Sequence, residues 1–182
     1  KTLTGHNGGA NIITWSPDGK TIASSGLDDT IKLWDASTGN LIKTLAKHNS
    51  IRSLTWSPDG KTIASSGLDN NVNIWDATTG KLIKTLNHSY AVVGVAWSPD
   101  GKNIAAASLD STAIWDVTTG KRLKTLYGHM SYLSSVAWSG DGKMIASASD
   151  DQSIKLWNAT TGELIKNLYG HGYGTTTIAW SK

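Results

Sequence analysis

Apolar residues along this chain fall in short runs of about strand length, separated by turn-forming residues. "IRSLTWS" (51–57) is mostly apolar with small residues interspersed, the pattern of a strand buried on both faces. "SPDG" (57–60) fits a type I turn, with Pro at its second position and Gly at its fourth. "KTIASSG" (61–67) predicts a second strand. In the neighbouring stretch, "LDDT" (27–30) reads as a turn and "IKLWD" (31–35) as a third strand with period-two alternation. "ASTG" (36–39) turns again, and "NLIKTL" (40–45) predicts a fourth strand carrying lysine. Strands of five to seven residues joined by tight turns make an antiparallel meander.

The unit recurs at a fixed period. The Trp of a "WS" pair stands at Trp15, Trp56, Trp97, Trp138 and Trp180, at intervals of 41, 41, 41 and 42. A second Trp stands at Trp34, Trp75, Trp115 and Trp157, and His at His6, His48, His88, His129 and His171. These nine Trp and five His are all that the chain contains, so it is an array of one module. A single meander cannot bury both its faces. Copies must therefore pack face to face around an axis, which predicts an all-β propeller of four-stranded antiparallel blades. Four blades are expected, at approximately 11–46, 51–87, 91–127 and 132–169 of one unit spanning 1–182. An overhanging strand is expected at each end: "KTL" (1–3), and an extra copy of the first strand at 174–182.

"GH" followed by "WSPDGK", "IASSGLDDTIKLWD" and a closing "TG" resembles the WD-repeat β-propeller family over essentially the whole chain, period included. The resemblance implies a binding scaffold rather than an enzyme. It also implies a buried hydrogen-bond chain in each blade, joining His, Asp and Trp through a Ser or Thr of the second strand. The matching positions are His6, Asp28 and Trp34; His48, Asp69 and Trp75; His88, Asp110 and Trp115; His129, Asp151 and Trp157. The chemistry is coherent, because carboxylate accepts, imidazole both donates and accepts, and indole donates only. Four copies of a structural clamp are more plausible than four copies of a catalytic site, so no catalytic residues are expected. The third unit departs from the pattern. Ala106 and Ala107 replace Ser24 and Ser25, the stretch up to Trp115 is one residue shorter, and no Gly precedes His88. Blade 3 is accordingly expected to be the least rigid.

In the family resembled here, partners bind on the face carrying the loops before the first strand and between the second and third. In this chain those loops diverge between repeats, and Asn49, Arg52, Tyr90, Tyr132 and Tyr173 lie in them. Tyr and Arg are favoured where binding energy concentrates. Other proteins or peptides are the expected partners. A repeat fragment or engineered array with no evolved ligand, and a carbohydrate-binding propeller, are the alternatives. Lys43, Lys84, Lys124 and Lys166, on the fourth strands, are expected to discourage edge-to-edge aggregation.

Composition excludes several chemistries. No Cys means no disulfide and no thiolate ligand. No metal or cofactor is expected: the "DDT" and "DNN" turns hold too few carboxylates for a calcium loop, and "GHGYG" (170–174) leads into no helix. Net charge is +3 with lysines evenly spread, which does not point to nucleic acid, and there is no apolar run of membrane-spanning length. No signal sequence opens the chain, which starts at Lys1, so a fragment or processed product in a cytoplasmic setting is expected.

Residues 1–16 and 166–181 duplicate one segment, of which a closed ring made from one chain could use only one copy. Two chains would give eight blades, with the duplicates exchanging as strand swaps in a homodimer. Residues 14–28 and 55–69 are identical, and Thr14–Leu45 matches Thr55–Leu86 at 25 of 32 positions, the mark of recent amplification in a bacterial-type array or of engineering from one.

Overall fold

The computed structural model describes residues 1–45, 47–109 and 111–181. Among these residues sixteen strands form four separate four-stranded sheets, each in chain order and antiparallel throughout. Blade 1 holds β1 (Ala10–Trp15), β2 (Thr21–Gly26), β3 (Ile31–Asp35) and β4 (Leu41–Thr44). Blade 2 holds β5 (Ile51–Trp56), β6 (Thr62–Gly67), β7 (Asn71–Asp76) and β8 (Leu82–Asn87). Blade 3 holds β9 (Val92–Trp97), β10 (Asn103–Ser108), β11 (Ser111–Asp116) and β12 (Arg122–Tyr127). Blade 4 holds β13 (Leu133–Trp138), β14 (Met144–Ser149), β15 (Ser153–Asn158) and β16 (Leu164–Tyr169). Residues 174–181, expected as a further first strand, lie outside every sheet.

The tight turns follow from side-chain oxygens. Ser16 Oγ donates to Asp18 Oδ1 at 2.6 Å and accepts from Thr21 N at 2.9 Å, closing the β1–β2 turn, with Gly19 at φ +68. In blade 4 Gly140 stands in the proline slot. There Ser139 and Asp141 make the same bonds, at 2.7 and 2.9 Å, so the Ser-x-Asp-Gly frame sets this turn and proline only favours it. The Asp of each Trp-Asp pair caps the turn between the third and fourth strands of its blade: Asp76 Oδ1 accepts from Thr79 N at 2.6 Å and Thr79 Oγ1 at 2.8 Å.

Three apolar cores lie between consecutive blades rather than within them. Ala23, Ile31, Leu33 and Leu45 of blade 1 pack on Ile51, Leu54, Trp56, Ile63 and Trp75 of blade 2. Blade 2 meets blade 3, and blade 3 meets blade 4, through equivalent residues. The first strands carry the contact from blade to blade, β1 on β5, β5 on β9 and β9 on β13. Among the described residues no comparable packing joins β13 to β1, so the four blades form an open arc with two unlike end faces.

Outer strands also reach across the junctions. Lys43 Nζ donates to Thr79 O at 3.2 Å, and Lys84 Nζ to Val117 O at 3.0 Å and Thr118 O at 2.6 Å. These two lysines are latches on the next blade, not merely guards of an edge strand.

Candidate functional site

In blades 1 and 4 the second-strand serine lies between the two rings. Trp34 Nε1 donates to Ser24 Oγ at 2.8 Å, Ser24 donates to His6 Nε2 at 2.8 Å, and His6 Nδ1 donates to Asp28 Oδ1 at 3.0 Å. Trp157, Ser147, His129 and Asp151 repeat the chain at 2.8 Å for every link. In blade 2 the imidazole is reversed: Ser65 donates to His48 Nδ1 at 2.6 Å, and Nε2 donates to Asp69 at 3.1 Å. A carboxylate only accepts, so in each chain the ring nitrogen that faces it carries a proton. Burial raises the pKa of Asp28, yet bonds from Asn7 N, Thr30 and His6 outweigh it and hold the carboxyl well below the usual range. Asp151 is lowered in the same way, through Ser153, Met130 N and His129. Burial lowers the pKa of His48 despite the nearby Asp69.

Blade 3 is built differently. With Ala106 in place of the serine, Trp115 Nε1 donates directly to His88 Nε2 at 3.0 Å. The two rings close to 5.2 Å between centroids, against 6.3 Å for His6–Trp34 and 6.5 Å for His129–Trp157. Arg122 lies over Trp115 at 4.7 Å, and burial together with this cation lowers the His88 pKa to about 4. Ala113 replaces the buried Lys32, Asn73 and Lys155 of the other blades, leaving a 220 Å³ cleft bordered by His88, Tyr90, Arg122, Thr125 and Tyr127. Asp110, expected with His88, lies outside the described residues.

The loops before the first strands and those between second and third strands meet on one face. Leu27 N donates to Gly9 O at 3.0 Å, Ser50 N to Asp29 Oδ1 at 2.8 Å, and Asp150 N to Tyr132 O at 2.9 Å. Asn49, Arg52, Tyr90, Tyr132 and Tyr173 are all exposed. The sequence reading missed Leu27, Leu68 and Met130, which are exposed on the same loops; their signal was an apolar residue placed inside a turn. No group of three or more potential metal ligands occurs among the described residues, and no helix is long and apolar enough to cross a membrane.

The end faces are the other candidate surface. Ile13 is 65% exposed, whereas its repeat equivalents Leu54, Val95 and Val136 are each 6%. Trp15 is 57% exposed, against 8% for Trp56 and Trp97. A 510 Å³ groove beside Ile13 includes Leu3, His6, Ile22 and Trp34. On blade 4, Ile154 and Leu156 are half-buried where Ile31 and Leu33 are enclosed.

The family model described as the IFT122 first beta-propeller matches residues 9–182. The chain belongs to the WD-repeat β-propeller family. Similar proteins include an uncharacterised WD repeat-containing protein of Synechocystis, 51% identical over 47 residues, covering 25% of this chain and 14% of that one. The small ribosomal subunit protein RACK1 of Glycine max is 43% identical over 53 residues (29% and 16%), and the Notchless protein homolog of Arabidopsis thaliana 42% over 48 (26% and 10%). The chain thus spans about a sixth or less of these relatives' lengths, and each match is about one WD repeat long. What it shares with them is the blade.

Proposed function

We propose that this WD-repeat chain is a non-catalytic protein-interaction scaffold that completes itself by pairing with a second copy in an eight-bladed ring. The observation that carries the pairing is the bare face of blade 1, with Ile13 65% exposed where every interior equivalent is 6%. Its complement is present on the same chain. Blade 1 fills the groove of blade 2 with Ala23, Ile31, Leu33 and Leu45, and blade 4 carries the same four residue types at Ala146, Ile154, Leu156 and Leu168. Blade 4 of one copy therefore seats on blade 1 of the other, and the reciprocal contact closes the ring. Contiguous apolar faces of this kind mark association surfaces in soluble proteins. The His–Ser–Trp–Asp chains keep blades 1, 2 and 4 rigid, and partner proteins or peptides bind the loop face through Tyr90, Tyr132 and Tyr173, with Arg52 and Asn49.

Ile13→Asp tests the pairing cleanly, because an exposed side chain can be replaced at little cost to the single chain. The variant is expected to fold with the wild-type melting temperature at low concentration and to sediment only as a monomer. A dimer as tight as wild type would contradict this interface. The loop face is tested by changing the three tyrosines to Ala together; any bound partner retained at unchanged affinity would remove them from the binding site.

A further inference from the structure

Each junction of the arc has two seats that the neighbouring blade fills, and both seats at the open junction are filled by segments of the chain itself. The first seat is the turn between a blade's third and fourth strands, which receives a Lys-x-Leu pair from the preceding outer strand. At Gly80 it holds Lys43 and Leu45, and at Gly162 it holds Lys124 and Leu126. Leu45, Leu86 and Leu126 are all buried as a result. At blade 1 the same seat, beside Gly39, holds Leu3 and Lys1, and Lys1 Nζ donates to Ser37 O. The pair that a second copy would bring there is Lys166 and Leu168, both exposed in this structure.

The second seat is that of the first strand, against the first strand of the preceding blade. Leu133 N, at the start of β13, donates to Leu109 O of blade 3 at 3.1 Å. One blade further on, Thr175 N donates to Ser149 O at 3.1 Å, Ser134 Oγ donates to Thr175 O, and Trp180 Nε1 donates to Ala137 O at 3.3 Å. Residues 175–181 thus stand where β1 of a second copy must go, but no second strand pairs with them among the described residues. β1, by contrast, is held in an antiparallel ladder with β2 from Ala10↔Gly26 to Trp15↔Ile22. A strand tied to its partner by a tight turn keeps its place against an unpaired segment from another chain.

Resting on the two-chain ring, we infer that Lys1–Leu3 and the segment 174–181 are displaceable plugs, which the second copy must expel from both seats before the ring closes. A tethered competitor acts at a millimolar effective concentration, so the plugs weaken association and set its concentration threshold. Strand exchange predicts the reverse, because the segment 174–181 would then be the joining strand.

Sedimentation equilibrium of four chains separates these outcomes: the full chain, the chain without residues 1–4, the chain without 174–182, and the chain without both. Each deletion is expected to lower the dimer dissociation constant by about tenfold or more, roughly the factor a tethered competitor imposes. Trp180→Ala in the full chain, which removes one plug contact and no backbone, should move it in the same direction. Unchanged constants in dimers that do form would overturn the plugs alone. Weaker dimers on loss of 174–182 would overturn them in favour of strand exchange. Monomers in all four chains would overturn the ring as well.

Discussion

In blades 1, 2 and 4 one serine hydroxyl accepts from an indole and hydrogen-bonds an imidazole, so its loss leaves two buried groups to find each other. Ser147→Ala should cost blade 4 about 1–3 kcal/mol, the penalty for unpaired buried polar groups, read as a lower urea midpoint at unchanged slope. Blade 3 shows the alternative solution, with the rings closed directly on one another at 5.2 Å. Ala106→Ser should therefore add no comparable stability, because the hydroxyl's place is already taken by His88. His48 and His88, both lowered by burial, contribute to the acid response. His88 titrates near 6.5 when unfolded and near 4 when folded, so its contribution is complete above pH 6.5 and declines as pH falls toward 4. That lowering corresponds to roughly 3 kcal/mol. Asp28 and Asp151, with lowered folded values, add a second loss below their ordinary pKa of 3.8. Denaturant titrations at stepped pH should show stability falling from pH 6.5 and more steeply below 3.8; His88→Gln should reduce the first stage, to which the lowered pKa of His48 also contributes, and leave the second.

At the scale of strands and turns, much is legible in the sequence. The Trp and His periods, the polar turns and the alternation of "IKLWD" correspond to sixteen strands in four meanders. Two features were not legible, for physical reasons. Proline looked like the agent of the β1–β2 turn because it recurs, but Gly140 leaves blade 4's turn unchanged since the serine and aspartate hold it. The outer-strand lysines looked like solvent-facing guards because sequence shows neighbours within a strand, not across a blade junction. Lys84→Met keeps the apolar stem and removes the two bonds to Val117 O and Thr118 O. It should cost about 1 kcal/mol, the net worth of an ordinary hydrogen bond at a partly exposed site, or about 3 °C in melting temperature for a chain this size. A change within error would show that the stem alone holds the latch.

For the molecule as a whole, the period announces blades but cannot announce how they close. Ile13, Leu54, Val95 and Val136 occupy one register position and are indistinguishable in a sequence; only the fold shows that the first is bare and the others are covered. The same holds for Leu168 beside Leu45, 36% against 3% exposed. An arc whose two faces repeat the two halves of its own interior junctions is self-complementary, and in the proposed ring a second copy would satisfy both at once. The native mass of the unmodified 182-residue chain, measured by light scattering across a concentration series, tests this directly. The account predicts a mass rising from 19.3 kDa to a plateau at twice that value, with no larger species. A mass fixed at 19.3 kDa up to millimolar concentration, or one that climbs without a plateau, would contradict it.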